Sequence, residues 1–208
     1  MTLPQLYPIV DADVLDQRGL NVAHFAEDLR AAGVKLLQYR DKHGTPQEVL
    51  RVAAMIRDVF AEAECRLILN DRADLAVLAG WDGVHVGQED LSPEDARRVV
   101  GGALWVGVST HTEEQVRLAE ASCADYVAVG PVFATGTKLD AEAVIGLEGV
   151  RRARALTTKP LVGIGGITRS NARSVIDAGA DSVAVISALI VDGESVEKVA
   201  RDFLDVLR

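Results

Sequence analysis

Acidic and basic side chains that together could bind a phosphorylated substrate follow short apolar runs in this chain of 208 residues. Asp71 and Asp90 are carboxylates of the kind that bind Mg²⁺, an ion that protein sites commonly share with substrate phosphates. Arg40, Lys42 and Lys138 are cations that could bind phosphate oxygens directly. The two aspartates could instead pair with Arg40 and Lys42, or cap the helices that follow them, so both interpretations stay open.

Other polar residues also lie one to several positions past an apolar run. They are Gln38, Asp41, Asn70, Arg72, Gln88, Glu89, Ser109, Thr110, His111, Thr135, Thr137 and Ser187. If the apolar runs are parallel strands, these side chains can all face one rim, where a barrel of such strands carries its active site.

A second candidate anion site is rich in glycine. Gly163, Gly165 and Gly166 surround Ile164, and Ile186-Ser187 ends the last apolar run. Glycines let backbone N–H groups approach a phosphate, and the start of a helix there would add its dipole. The alternative is a tight turn that needs a positive φ and binds nothing.

Eight apolar runs alternate with helical patterns and predict the elements that position these residues. The predicted strands are Leu6 to Val10, Val34 to Tyr39, Arg66 to Leu69, Gly83 to Val86, Leu104 to Val108, Tyr126 to Val129, Leu161 to Ile164 and Ser182 to Ile186. Eight units in 208 residues leave room for a strand, a loop and a short helix each. We therefore predict one domain over residues 1–208, an α/β fold that is a single compact (β/α)8 TIM barrel. The alternative, an open doubly wound sheet, lacks its dinucleotide fingerprint.

Helix boundaries can be predicted from capping residues. Ser92 followed by Pro93 is typical of a helix start, and Thr112 with Gln115 fits a capping box. Gly33 and Gly179 stand where a left-handed residue would end a helix before a strand. The longest irregular connection, from Ala134 to Gly146, is a candidate lid or binding loop.

The charge balance excludes some classes of partner. Lys and Arg number 22 against 31 Asp and Glu, a net charge of −9, which argues against nucleic acids and polybasic membrane binding. No apolar run reaches the roughly 18 residues that span a bilayer, and the first residues lack the pattern of a signal peptide. We expect a cytoplasmic protein with small phosphorylated ligands. A homodimer is compatible with such a barrel, although no heptad pattern or large apolar patch indicates one.

The strand ends, taken in order, resemble the thiamine phosphate synthase (thiamine-phosphate pyrophosphorylase) family over nearly the whole chain. The matching segments are LLQYRDK, LILNDRADLA, DGVHVGQEDL, VGVSTHT, ADYVAVGPVFATGTK, VGIGGI and AVISAL. Single pieces are weak signals, but the ordered set is specific. The resemblance implies a (β/α)8 barrel that joins hydroxymethylpyrimidine diphosphate to thiazole phosphate or its carboxylate, giving thiamine phosphate and pyrophosphate.

The resemblance also implies residue roles. The pyrimidine diphosphate site would comprise Gln38, Tyr39, Arg40, Asp41, Lys42, Asn70, Ser109 and Lys138, with Arg40, Lys42 and Lys138 stabilising the departing pyrophosphate. The thiazole phosphate site would comprise Thr135, Gly136, Thr137, Gly166, Ile186 and Ser187. Asp71 and Asp90 would hold one Mg²⁺ per subunit. Tyr39 and Asp41 depart from the usual family residues, and Tyr39 should face a different environment from Gln38 and Arg40 and affect packing more than rate.

The implied reaction is dissociative. Loss of pyrophosphate leaves a pyrimidine methylene cation, which the thiazole nitrogen attacks, so the protein needs no nucleophile. Two other functions stay open. One is a thiazole tautomerase of the same fold that could use His111 for proton transfer, and the other is a non-catalytic thiamine or thiazole phosphate binder.

Overall fold

A closed barrel of eight parallel strands forms the centre of the protein, in a computed structural model that describes residues 2–135 and 143–208. The strands are β1 (Leu6–Asp11), β2 (Leu36–Arg40), β3 (Arg66–Asn70), β4 (Gly83–Val86), β5 (Trp105–Thr110), β6 (Tyr126–Val129), β7 (Leu161–Ile164) and β8 (Ser182–Val185). Each strand pairs with the next along the chain, and β8 pairs with β1. The predicted (β/α)8 barrel is confirmed, and the open sheet is excluded.

Helices surround the barrel and alternate with its strands. In the described residues they are α1 (Ala12–Gln17), α2 (Val22–Ala32), α3 (Pro46–Val59), α4 (Ala73–Ala79), α5 (Pro93–Val100), α6 (Glu113–Ala121), α7 (Gly146–Leu156), α8 (Ala172–Asp177) and α9 (Val196–Leu207), with a short 3-10 helix at Ser187–Leu189. No helix in this part of the chain carries a long enough apolar stretch to cross a bilayer. The assignment of residues 1–208 to one domain stays a prediction.

Alternation along each strand divides the apolar residues into two layers. Tyr7, Ile68 and Tyr126 belong to a cluster inside the barrel, whereas Leu37 and Tyr39 belong to the larger layer between strands and helices. Because parallel strands in this fold are covered on both faces, both layers are apolar and the strands read as continuous hydrophobic runs.

The capping residues act as their spacing predicts. The Ser92 hydroxyl accepts a hydrogen bond from the Asp95 N–H at the start of α5, and Thr112 with Gln115 forms a reciprocal capping box at α6. Gly33 ends α2 at a φ of 86°, in the left-handed region that glycine adopts at low cost. Gly179 has a positive φ one residue after the end cap of α8.

The predicted strand limits are correct for β4, β6 and β7 and differ by one or two residues elsewhere. β2 begins at Leu36 because the Val34 N–H still bonds to the carbonyl of Leu29 in α2. β8 ends at Val185 because Ile186 already leads into the 3-10 helix. At their carboxyl ends, β1 and β2 each run one residue further than predicted, to Asp11 and Arg40. These two differences matter for the site.

Three aspartates at the amino-terminal end of the barrel share one arrangement. Each precedes a strand and accepts both a backbone N–H from the preceding strand and an arginine N–H. The sets are Asp82 with Leu67 N–H and Arg66 (both 2.9 Å), Asp125 with Val106 N–H (2.7 Å) and Arg97 (2.5 Å), and Asp181 with Leu161 N–H (2.8 Å) and Arg154 (3.0 Å). We call them the bottom-face aspartates. They tie neighbouring strands together where the barrel carries no predicted site residue.

Candidate active site

The carboxyl ends of the strands bring most of the predicted site residues to one end of the barrel. Gln38 and Arg40 alternate with Tyr39 along β2, and Asn70 and Ser109 lie near the ends of β3 and β5. The register pairs Asn70 with His85 and Gln38 with Ile68, so the side chains on these strands lie side by side. This end is the barrel mouth, where enzymes of this fold carry their chemistry.

Arg40 is held at the mouth by Asp11, a residue that sequence reasoning missed. The Arg40 Nη1 atom donates to Asp11 Oδ2 at 2.6 Å, and Val14 N–H donates to Asp11 Oδ1 at 3.0 Å. Asp11 is only 3% exposed and pairs with Arg40 in the register of β1 and β2. Arg40 therefore has a buried carboxylate partner, which is neither Asp71 nor Asp90.

Lys42, Asp71 and Asp90 form a second cluster. The Lys42 ammonium forms a salt bridge with Asp71, and the Asp71 carboxyl shares a hydrogen bond with Asp90. Burial and the hydrogen bond to Asp90 raise the pKa of Asp71 above its ordinary value. Burial opposes ionisation of Asp90 as well, but the hydrogen bonds from Asp71 and from Gly87 N–H lower its pKa. The pKa values of the two neighbouring carboxyls are thus shifted in opposite directions beside a cation.

This arrangement tests two of the interpretations left open above, the salt bridges and the helix caps. Asp71 does pair with Lys42, as the salt-bridge alternative predicted. The capping alternative is wrong, because Arg72 stands at the start of α4 without a side-chain cap and Ser92 caps α5. Asp71 also has a φ of 60°, uncommon for a residue with a side chain, so the backbone is under strain at the residue that meets Asp90.

The Asp71–Asp90 pair fits a divalent cation by its donor chemistry. Two carboxyls that compete for a proton supply hard oxygen ligands whose mutual repulsion a cation would relieve. Within residues 2–135 and 143–208 no group of three or more His, Cys, Asp or Glu side chains is arranged for a metal. Two carboxylates without a third protein ligand suit Mg²⁺, which retains waters and binds substrate phosphates.

A chain of hydrogen bonds crosses the barrel interior below the mouth. Gln38 Nε2 donates to the Tyr7 hydroxyl at 2.9 Å, and that hydroxyl lies 2.9 Å from the Tyr126 hydroxyl. Tyr126 in turn contacts His85 Nδ1 at 3.0 Å, and His85 Nε2 lies 2.9 Å from Ser109 Oγ. Burial raises the pKa of both tyrosines, which therefore stay neutral. The chain links two predicted pyrimidine-site residues, Gln38 and Ser109, through the buried side chains of Tyr7, Tyr126 and His85.

Tyr39 and Asp41 lie apart from this interior chain. The Tyr39 ring is buried in the layer between barrel and helices, and its hydroxyl donates to Asp41 Oδ2 at 3.0 Å. Asp41 Oδ1 accepts the backbone N–H groups of His43 and Gly44. The packing environment expected for Tyr39 is the one it occupies, and Asp41 organises the loop after β2.

The glycine segment after β7 forms a tight turn, as its alternative interpretation predicted. Gly165 and Gly166 have φ values of 99° and 64°. A Cβ on Gly166 would lie 2.5 Å from the carbonyl oxygen of Ala134, so this glycine also lets two loops approach. Asn171 Nδ2 donates to the Gly166 carbonyl at 3.1 Å and fixes the turn. Phosphate binding there stays a prediction.

The remaining predicted residues divide into two groups. Thr135 is half-buried after β6, and Ile186 and Ser187 follow β8 next to the glycine turn. Gly136, Thr137 and Lys138 lie outside the described residues, as does the central part of the predicted lid.

His111 is held at the rim by the ends of two strands. Its ring Nδ1 lies 2.7 Å from the Gly130 carbonyl oxygen, and its backbone N–H donates to Gln115 Oε1 at 2.7 Å. The backbone and the α6 capping box therefore fix its position.

Of the site residues that the sequence analysis does not identify, Asp11 could have been found from the sequence pattern, whereas Tyr7 and Tyr126 could not. Asp11 directly follows the apolar run of β1 and could have been grouped with the other strand-end residues. Tyr7 and Tyr126 lie within apolar runs, where nothing in the pattern distinguishes a polar hydroxyl contact from packing.

The family model and the curated relatives that the sequence matches indicate one family. Residues 6–189 match the family model described as thiamine monophosphate synthase (TMP-TENI). A thiamine-phosphate synthase of Koribacter versatilis is 53% identical over the whole chain and 97% of that relative, and one of Chloroflexus aurantiacus is 42% identical over 95% of the chain and 89% of the relative. The solved thiamine phosphate pyrophosphorylase of Pyrococcus furiosus superposes with a TM-score of 0.87 at 32% identity, covering 98% of this chain and 95% of that one.

Proposed function

The chain belongs to the thiamine monophosphate synthase family, and on that premise we propose that its barrel mouth joins a pyrimidine diphosphate to a thiazole phosphate. The protein is a transferase of thiamine biosynthesis, a thiamine-phosphate synthase like its curated relatives. The names of these relatives do not favour the two other functions, a thiazole tautomerase and a non-catalytic binder. The observation that carries the proposal for this site is the meeting of Asp71, Asp90 and Lys42 beside the Asp11–Arg40 pair.

Asp71 and Asp90 would hold the Mg²⁺ expected for this reaction. When bound, the ion supplies positive charge against the oxygens of the diphosphate. Its charge would favour the ionised form of Asp71, whose pKa burial and the neighbouring Asp90 raise, and this supports these two residues as the metal site.

Basic side chains would stabilise the departing group. The bond between the pyrimidine methylene carbon and the diphosphate oxygen breaks, and its electron pair leaves with pyrophosphate. Arg40 and Lys42, together with Lys138 outside the described residues, would place donors against that growing negative charge. The lone pair of the thiazole nitrogen then forms the new C–N bond, so the protein contributes positioning and charge rather than a nucleophile.

The interior hydrogen-bond chain would orient the pyrimidine. Gln38 and Ser109 stand at its two ends, and Tyr7, Tyr126 and His85 hold them through buried contacts. A side chain fixed in this way needs little reorganisation when the substrate arrives. At the other side of the mouth, Gly166, Ile186 and Ser187, with Thr135 to Thr137, would receive the thiazole phosphate.

The test is pyrophosphate release from the two substrates together, measured with and without Mg²⁺. We expect turnover that needs both substrates and the metal. Asp71→Ala and Asp90→Ala should each abolish most of it, because each removes a ligand and a charge from the cluster.

Asp74→Ala is the matched control, because Asp74 is exposed, pairs with Arg72 and is close in sequence to Asp71. It should turn over like the native protein. The proposal fails if the native protein releases no pyrophosphate, or if both cluster variants keep Mg²⁺-dependent turnover.

A further inference from the structure

We infer that Asp11 is a positioning residue that aims the Arg40 guanidinium at the departing diphosphate. The inference rests on the proposed function, because it concerns how that site holds its arginine. Asp11 touches Arg40 and the start of α1 in the described structure, so its effect on the reaction would pass through Arg40.

The carboxylate of Asp11 is itself fixed from two sides. Oδ1 accepts the Val14 N–H at the start of α1, and Oδ2 accepts Arg40 Nη1. Its side chain is 2% exposed, whereas that of Arg40 is 20% exposed. A buried, immobile acceptor thus holds one corner of a guanidinium whose side chain still reaches solvent at the mouth.

Arg40 keeps most of its hydrogen-bonding capacity for a ligand. A guanidinium has five N–H donors, and in residues 2–135 and 143–208 the hydrogen bond found for Arg40 is the one from Nη1 to Asp11. Among these residues the other donors have no partner, so they can make the planar, bidentate contacts that arginine makes with phosphate.

Two of the three arginines that pair with the bottom-face aspartates are used differently. Arg97 also donates to the carbonyls of Gly101 and Leu104, and Arg154 donates to those of Thr157 and Lys159. Their donors are consumed by the fold. The same aspartate–arginine pairing therefore has a structural role at one end of the barrel and leaves an arginine available at the other.

The role of Asp11 is orientation rather than added charge, because a carboxylate beside Arg40 lowers the local positive potential. Removing that negative charge should not weaken ground-state binding of a diphosphate, whereas releasing the guanidinium should weaken its contact in the transition state. This predicts a split between the kinetic constants. kcat should fall roughly 10- to 100-fold, as expected for a misplaced catalytic group, while KM for the pyrimidine diphosphate stays equal or falls.

Asp11→Asn tests this with nearly unchanged shape. The amide keeps one acceptor oxygen, which can cap Val14 N–H, but presents N–H donors to Arg40 Nη1. Asp11→Ser is the second variant, since serine also caps a helix but is too short to hold Arg40. If one variant folds poorly, the other still provides the measurement.

Asp125→Asn is the matched control. Asp125 likewise accepts one backbone N–H and one arginine N–H, but at the bottom of the barrel. It should lower the melting temperature and leave kcat and KM unchanged. Arg40→Ala completes a cycle, because Asp11→Asn should change kcat less than twofold in a protein that lacks Arg40.

The possible results are separable. A native protein without pyrophosphate release overturns the proposed function. A native protein that turns over, with Asp11→Asn at native kcat, overturns the role of Asp11 alone. An equal loss of kcat with and without Arg40, or a loss matched by Asp125→Asn, would mean that Asp11 acts through stability and would also overturn the inference.

Discussion

The two ends of the barrel use aspartates in opposite ways. At the bottom, Asp82, Asp125 and Asp181 each bridge two strands through a backbone N–H and an arginine. At the mouth, Asp71 lies against Asp90 and Lys42, its pKa is raised, and it has a strained backbone. The bottom carboxylates each bridge two strands, whereas the mouth places two carboxyls against each other. In barrels of this fold, residues at the bottom generally serve stability and residues at the top carry the chemistry, which is the same division.

The sharpest test of this comparison replaces the strained aspartate by glycine. Asp71→Gly removes one of the two proposed metal ligands and permits a φ of 60° at low cost. Turnover should fall by about 10²- to 10³-fold, the scale for losing one preorganised electrostatic group, while the melting temperature stays equal or rises. Steady-state kinetics and thermal unfolding measure both. A clear loss of stability would mean that the mouth supports the fold as the bottom does.

The interior hydrogen-bond chain lies between the two ends and should affect both properties. Tyr126→Phe leaves the buried partners Tyr7 and His85 each short of one contact, which should cost about 1–3 kcal/mol of unfolding free energy. It should also raise KM for the pyrimidine diphosphate. Tyr39→Phe, whose hydroxyl contacts Asp41 in the outer layer, is the control and should leave that KM unchanged.

Removing a bottom-face aspartate should change stability alone. Asp82→Ala deprives the Leu67 N–H and Arg66 of an acceptor, and we expect a loss of about 1–2 kcal/mol in chemical unfolding with unchanged kcat. Asp205→Ala, at an exposed pair near the end of α9, should change neither. A drop in kcat for Asp82→Ala would contradict the separation between the two ends.

The smallest expected effect is a difference in pH dependence. Hydrogen bonds from Thr157 and Thr158 near the bottom lower the pKa of Glu120 to about 2, so its stabilisation is present above its ordinary value of 4.5 and lost as pH falls toward 2. The pKa of Asp71 is raised by burial, so its contribution is present below its ordinary value of 3.8 and lost as pH rises.

Melting temperatures between pH 6 and pH 3, without Mg²⁺, should show this contrast. Glu120→Gln should reduce the loss of stability on acidification, and Asp71→Asn should not reduce it. Equal slopes for the native protein and Glu120→Gln would contradict the stabilising role of the bottom carboxylate.

The barrel could be predicted from the sequence because its strands are apolar on both faces and recur eight times. For the same reason, the hydrogen-bonded side chains inside the barrel could not be predicted from the apolar pattern. Tyr7 and Tyr126 fit the apolar pattern, yet their hydroxyls meet across the barrel from strands 119 residues apart. Pairing at that separation depends on closure of the sheet, which local periodicity does not encode.

The sequence predicts site residues that lie near the end of a strand. It does not predict which residues they pair with. Gln38, Arg40, Asn70 and Ser109 reach the mouth because they end parallel strands. The partner of Arg40 escapes the sequence pattern, since the apolar run predicts that β1 ends at Val10, one residue before Asp11. The rival capping role of Asp71 and Asp90 failed because Ser92 takes that place at α5 and α4 has no side-chain cap.

The pairing of β8 with β1 has a consequence for the newly made chain. Leu6 to Pro8 on β1 align with Val183 to Val185 on β8, which leaves the ribosome after the other seven barrel strands. Until then β1 presents an open sheet edge, and the barrel has no closed interior to shelter its hydroxyl groups from water. β8 must therefore be synthesised before the barrel can close and the arginine and aspartates at the mouth can take their final places.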